Sequence, residues 1–480
     1  FGSSRLLLRS WARYCVPMGQ IASAPVELIR IQRHGGAFWR AAAVEMQGWR
    51  KSHEDAHFFR DAVGERGSSH AVFGVLDGHG GDAAARLVAG RLPGALARAT
   101  DCAVGRGQEA LGKGVSEVFI ETDTWLREQI KGGSTPGTTC VVAGLRESTD
   151  GEYHCFIANA GDSRGLFVRR GEAGKRELVA SIDHKPGSPD ERARIVQAGG
   201  FVSGVKGGDV PRVDGSLAVS RGFGDFALKA DASLPPSAQK VSCEPDLYFN
   251  MLSQGDLIIL ACDGVFDVLS SEQLVERSLR DEHVDMGDRA AQILRECLAL
   301  ESRDNMTLML IEVGLAPSGD RKLTSSLLGL ERYSDLPDES SKALYRAFLE
   351  YCAEAGDLPA EAAGILEADG EQDVASKLSC LIDLLQPRES PAAALRRYGP
   401  STRTQQKRKH SEEAAPDDTK FKRLCEVCDG LVTKGLHNVF ESKREELEVL
   451  LHKRSDTATV APSGPAFWQY RWAAGEKQGE

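Results

Sequence analysis

VFGVLDGHGG, residues 72–81, is an apolar run that stops at Asp77 and is followed at once by Gly78, His79 and paired glycines. The run from Ala71 to Leu76 is too short for a helix and has no polar alternation, which suits a strand buried on both faces. The glycines after it let the backbone turn sharply and approach a ligand closely. Taken alone, the motif is equally a tight Asp-Gly turn, so the deciding question is whether other carboxylates also stand at strand ends.

They do. In DLIILACDGVFDVLS the apolar run from Leu257 to Cys262 stops at Asp263 and Gly264, with Asp267 four positions on. A mirrored case follows, because Asp304 and Asn305 come directly before MTLMLIEV, residues 306–313. Buried unpaired carboxylates are costly and need cations. Hard oxygen ligands without histidine partners favour Mg²⁺ or Mn²⁺ over Zn²⁺.

These motifs, in this order, resemble the metal-dependent Ser/Thr protein phosphatases of type 2C, the PPM-type family. Arg50 with Glu54-Asp55-Ala56-His57, Gly137-Thr138-Thr139, Asn159-Ala160-Gly161-Asp162-Ser163-Arg164 and Asp183-His184-Lys185-Pro186 carry the likeness further. So do Leu217-Ala218-Val219-Ser220-Arg221, Gly224-Asp225 and Glu244-Pro245-Asp246, and the similarity runs from about Met46 to Val313. It implies an α+β fold, a central β-sandwich flanked by helices in αββα layers, with a C-terminal helical extension. It also implies hydrolysis of phosphoserine or phosphothreonine in phosphoprotein substrates by metal-activated water, without a covalent intermediate. Two Mg²⁺ or Mn²⁺ ions would be bridged by Asp77, with the Gly78 carbonyl, Asp263 and Asp304 completing the cage and Glu54 and Asp55 holding water or buttressing it. Asp162 and Asp267 would serve a weaker third ion. Arg50 would grip the substrate phosphate, and His79 would protonate the leaving alkoxide or support Asp77. His53 stands where the family commonly has Met.

Two other readings remain beside this one. A catalytically inactive phosphatase fold could serve as a binding module, but such modules tend to lose the metal ligands, and all are present here. A small-molecule phosphohydrolase would carry a closed pocket, whereas the Gly- and Val-rich stretch 201–214 resembles an open substrate flap.

Composition bounds the rest. The 480 residues exceed one typical domain, and 41% hydrophobic and 27% charged residues are ordinary globular values. A net charge of −11 argues against general nucleic-acid binding. No apolar run is long enough to cross a bilayer, and the 11 cysteines follow no regular framework, which suits reduced thiols. Cys297 and Arg303 match the Cys-x5-Arg spacing of tyrosine phosphatases, yet a cysteine inside an amphipathic helix has no cradle of free N–H groups around it. GQEALGKG, residues 107–114, nearly spells a P-loop but lacks its Ser or Thr and the preceding strand.

The reading divides the chain into an N-terminal tail (1–39), a catalytic domain (40–315), a helical extension (316–386), a polar linker (387–435) and a last helix with its tail (436–480). Helices are expected over 82–99, interrupted at Pro93-Gly94, and over 115–130, 190–198, 271–280, 286–302, 340–354, 371–385 and 439–453. Gly161-Asp162-Ser163 reads as the turn of a hairpin joining 153–160 to 164–169, a turn for which Asp is well suited. Residues 1–26 carry Arg5, Arg9 and Arg13 without an acid, as a transit peptide does, and a start at Met18 would instead place Gly19 in an N-myristoylation pattern. Cys425 and Cys428 have zinc spacing without a second pair. Lys407-Arg408-Lys409 and Lys420-Phe421-Lys422-Arg423 form two basic clusters with bipartite nuclear-targeting spacing. A monomer in cytoplasm, nucleus or both is expected.

Overall fold

The computed structural model describes residues 21–63, 69–130, 136–148, 152–171, 176–204, 210–281, 283–314 and 323–354. The chain divides into two units, Phe1–Ala362 and Ala363–Glu480, and every described residue belongs to the first. Gly19, the cysteine pair 425/428, both basic clusters and the helices expected over 371–385 and 439–453 lie outside the described residues.

In chain order the elements are β1 (Ile21–Gly35), β2 (Trp39–Arg50), β3 (Ala56–Val63), β4 (Ser69–Leu76), β5 (Gly78–His79), α1 (Ala83–Cys102), α2 (Gly107–Gln129), β6 (Gly137–Thr138), β7 (Cys140–Glu147), β8 (Tyr153–Ala160), β9 (Arg164–Arg170) and β10 (Arg176–Ala180). Then come α3 (Pro189–Gln197), β11 (Val202–Ser203), β12 (Arg212–Val213), β13 (Phe223–Gly224), β14 (Asp246–Leu252), β15 (Leu257–Ala261), α4 (Asp263–Phe266), α5 (Ser271–Ser278), α6 (Met286–Ala299), β16 (Met306–Val313), β17 (Thr324–Leu328) and α7 (Glu339–Glu354). One antiparallel sheet has the order β10-β9-β15-β16-β2-β1-β17, the other β14-β8-β7-β4-β3.

The apolar strands explain the layering. Successive residues of a strand face opposite sides, so a strand without polar alternation needs cover on both. Phe73 and Val75 of β4 meet Ile258 and Leu260 of β15 and Met309 and Ile311 of β16 between the sheets. Their neighbours Ile259, Leu308 and Leu310 turn outward onto α5 and α6, while Val72 and Leu76 turn onto α1 and α2. The result is the αββα sandwich that the resemblance implies.

Four expectations are corrected. Residues 21–35 are no tail: β1 pairs with β2 and buries Val26, Leu28, Ile29 and Ile31. Helix α1 runs through Pro93, whose ring is buried with Leu92 and Leu96, so tertiary packing outweighs the lost backbone hydrogen bond. Helix α2 begins at Gly107, not at Val115. Strands β8 and β9 form no hairpin, because β8 pairs with β7 and β14 whereas β9 pairs with β10 and β15. The Gly161 turn therefore carries the chain from one sheet to the other. The ends of the expected flap form a short ribbon, Val202 against Val213 and Ser203 against Arg212. Helix α7 matches the expected span and buries Tyr345, Phe348, Leu349 and Cys352. Among the described residues no helix is long and apolar enough to cross a membrane.

Candidate active site

Strand ends bring the carboxylates together at one edge of the sandwich. Asp77 leaves β4, Asp263 opens α4 directly after β15, and Asp304 precedes β16. The Asp77 backbone is fixed on both sides: its carbonyl accepts from Thr139 N at 2.9 Å and Thr138 Oγ1 at 3.0 Å, and its N–H donates to Thr139 Oγ1 at 3.2 Å. Thr139 Oγ1 also lies 2.7 Å from Ser163 Oγ, tying this corner to the turn that carries Asp162. Gly78 must lack a side chain, since a Cβ there would stand 2.1 Å from the Glu54 carbonyl oxygen.

The segment carrying Arg50, Glu54 and Asp55 joins the same edge through Asn305. Its Oδ1 accepts from Glu54 N at 2.9 Å, and its Nδ2 donates to the carbonyls of Gln47 and Ser52 at 2.9 and 3.0 Å. Glu54 Oε2 accepts from Gly81 N at 3.1 Å. Arg50 Nη2 donates to Asp304 Oδ2 at 2.5 Å, while its Nε is buried without a partner. Asp55 Oδ2 accepts from Thr307 Oγ1 at 2.7 Å.

Electrostatics show what the cluster lacks. Burial, then the neighbouring charges of Asp55, Asp304 and Asp162, push the Asp77 carboxyl well above the usual range. Burial, with Asp77, Asp162, Asp267 and Asp304 around it, does the same to Asp263. Burial also raises Asp304 in spite of Arg50, and Asp162 in spite of Lys185, whose Nζ is 3.4 Å from Asp162 Oδ2. Asp55 is pushed up to about 6, chiefly by burial. Crowded acids of this kind favour an added cation. Asp263 Oδ1 and Asp55 Oδ1 are buried without a hydrogen-bond partner, and all the donors are hard oxygens, so the residues suit Mg²⁺ or Mn²⁺. Among the described residues no three His, Cys, Asp or Glu side chains form a finished cage. Arg50 holds one of the carboxylates such a cage would use.

A second group flanks the acids. His79 Nε2 lies 2.8 Å from Asp225 Oδ2 and 3.0 Å from Oδ1. Burial works against the imidazolium, but Asp225 outweighs it and holds the His79 pKa above its ordinary value. Sequence reading assigned no role to Asp225 or Asn305, although both lie in motifs it quoted. Cys297 sits buried in α6, and burial pushes its thiol up to about 12, so it supplies no thiolate.

The protein phosphatase 2C family profile matches residues 39–306, more than half of the chain. The chain belongs to the protein phosphatase 2C family. This phosphatase is 37% identical over 308 residues to protein phosphatase 2C homolog 2 of Schizosaccharomyces pombe, covering 61% of this chain and 78% of that one. It is 34% identical over 304 residues to protein phosphatase 1A of Homo sapiens, covering 61% and 76%. Its fold resembles that of a crystallised phosphatase from Toxoplasma gondii, with a TM-score of 0.52 at 23% identity over 62% of this chain and 99% of that one. The family consists of metal-dependent Ser/Thr protein phosphatases, which makes this chain a hydrolase.

Proposed function

We propose that this phosphatase hydrolyses phosphoserine and phosphothreonine in proteins at the edge where Asp77, Asp263 and Asp304 meet. Asp77, Asp263, Asp304 and the Gly78 carbonyl would hold two Mg²⁺ or Mn²⁺ ions, with Glu54 and Asp55 in support and Asp162 and Asp267 at a weaker third place. Bound there, divalent ions supply an acidified water and neutralise charge on the phosphoryl group.

The protein's own residues do the rest. Arg50 has a buried Nε without a partner, so its guanidinium can donate to a phosphate oxygen while Nη2 stays on Asp304. That orients the phosphoryl group against the acids. His79 has Nε2 engaged by Asp225, which leaves Nδ1 as the nitrogen that gives its proton to the departing seryl or threonyl oxygen. No covalent bond to the enzyme forms. The serine or threonine leaves as the neutral alcohol, and phosphate is released with one oxygen from water.

The observation that carries this reading is the convergence of buried, mutually repelling carboxylates beside one guanidinium and one carboxylate-held imidazole. The test is phosphate release from matched phosphothreonine and phosphotyrosine peptides by the full chain, with Mn²⁺ and with EDTA. Release that prefers phosphothreonine and stops in EDTA is expected. EDTA-resistant release, or a preference for phosphotyrosine, would overturn it.

A further inference from the structure

Residues 51–55 lie between β2 and β3 without regular secondary structure, yet they include Glu54 and Asp55 and follow directly on Arg50. An irregular segment keeps its shape only through tertiary contacts. Asn305 supplies those on one side. The other side is α7.

Near the end of α7 the rings of Phe348 and Tyr351 stack, with centroids 5.6 Å apart and planes 12° from parallel. Both meet the His53 ring edge-on, at 5.0 and 4.9 Å. The His53 side chain is 1% exposed, its Nε2 is 3.8 Å from Glu45 Oε1, and neither ring nitrogen is within hydrogen-bond distance of a partner, so aromatic packing does most to fix its place. The Tyr351 hydroxyl donates to Glu45 Oε1 at 2.9 Å and lies 3.4 Å from the Asp55 carbonyl oxygen.

Glu45 is wholly buried and ties the neighbouring strands together. Arg30 Nη1 meets its Oε2 at 2.9 Å, and His57 Nδ1 meets its Oε1 at 2.7 Å, with His57 Nε2 2.6 Å from Gln32 Oε1. The guanidinium carbons of Arg30 and Arg86 stand 5.6 and 5.1 Å from the centre of the Tyr351 ring. Glu54 and Asp55 are thus held between His53, gripped by α7, and His57, gripped by Glu45.

We propose that Tyr351 and Phe348 are positioning residues of the active site. By clamping His53, Glu45 and the Asp55 backbone, they set the placement of Arg50, Glu54 and Asp55, and with it the site's affinity for divalent cation. The proposal rests on the metal-dependent reading above. It assigns α7, outside the span matched by the family profile, a part in the chemistry.

The control is built into the same helix. The Tyr345 hydroxyl donates to the Gly329 carbonyl at 2.6 Å, so Tyr345→Phe removes a buried α7 hydrogen bond that does not touch residues 53–55. Mn²⁺ binding is measured by calorimetry on the full chain, together with KM and kcat for a phosphothreonine peptide, for wild type, Tyr351→Phe, Phe348→Leu and Tyr345→Phe. Tyr351→Phe and Phe348→Leu should weaken Mn²⁺ binding on the order of tenfold, as changes behind a metal ligand do, and should raise KM. Saturating Mn²⁺ should restore kcat, and Tyr345→Phe should match wild type. If Tyr351→Phe and Phe348→Leu bind Mn²⁺ as wild type does, the positioning role is wrong while the metal reading stands. If Tyr345→Phe weakens Mn²⁺ binding equally, α7 acts through general stability alone. If wild type binds no Mn²⁺, the metal reading fails and this proposal falls with it.

Discussion

His79 and Asp225 lie 146 positions apart in sequence, yet Nε2 of the one is 2.8 Å from Oδ2 of the other. The pair fixes the imidazole's orientation and favours its protonated form, which a proton donor to a leaving alkoxide requires. Asp225→Asn should therefore lower kcat on a phosphothreonine peptide, by no more than the roughly 10²- to 10⁴-fold that a general acid contributes. An aryl phosphate, whose phenolate leaves without help, should lose far less. Equal losses on both substrates would remove Asp225 from this role.

Gly137 guards the same pair. A Cβ there would stand 2.1 Å from Asp225 Oδ2 and 2.4 Å from His79 Nε2. Gly137→Ala should reproduce the kinetic loss of Asp225→Asn, and combining the two should add little, since both break one contact. Additive losses would show that Gly137 serves some other purpose.

Asp55 makes a prediction about pH and stability. Its folded pKa, pushed up to about 6, lies above the ordinary 3.8. The folded state then holds a proton that the unfolded state has released. The resulting stability is present below about pH 4 and is lost as pH rises through about 6. In EDTA, Tm of wild type relative to Asp55→Asn should fall across that window. A flat difference would mean that Asp55 is not desolvated as described.

Cys297→Ser should leave turnover near wild type, because a buried thiol pushed up to about 12 forms no nucleophile at neutral pH. Isolation of a phosphocysteine adduct would contradict the water-attack chemistry.

Legibility of the sequence followed from how local each signal is. Strands β4, β15 and β16 could be read because each apolar run abuts a carboxylate at one end, and burial on both faces needs no knowledge of partners. Strand β1 escaped because Arg30 and Gln32 interrupt its pattern. Both are buried, satisfied by Glu45 and His57, and only the fold reveals that. The Gly161 turn was misread because turn chemistry is the same whether a chain pairs back on itself or crosses to the facing sheet. The converging acids were legible as motifs. Asp225 and Tyr351 were not, since the first acts through His79 and the second meets Glu45 from 306 positions away.

The most direct test of the central claim is phosphothreonine-peptide hydrolysis by Asp263→Asn across a range of Mn²⁺ concentrations. The substitution removes one negative charge from the acid cluster while hardly changing volume. Wild type should show saturable, EDTA-sensitive turnover, and Asp263→Asn should lose it at limiting Mn²⁺ while keeping its fold by circular dichroism. Turnover of Asp263→Asn at the wild-type rate in limiting Mn²⁺ would contradict the account.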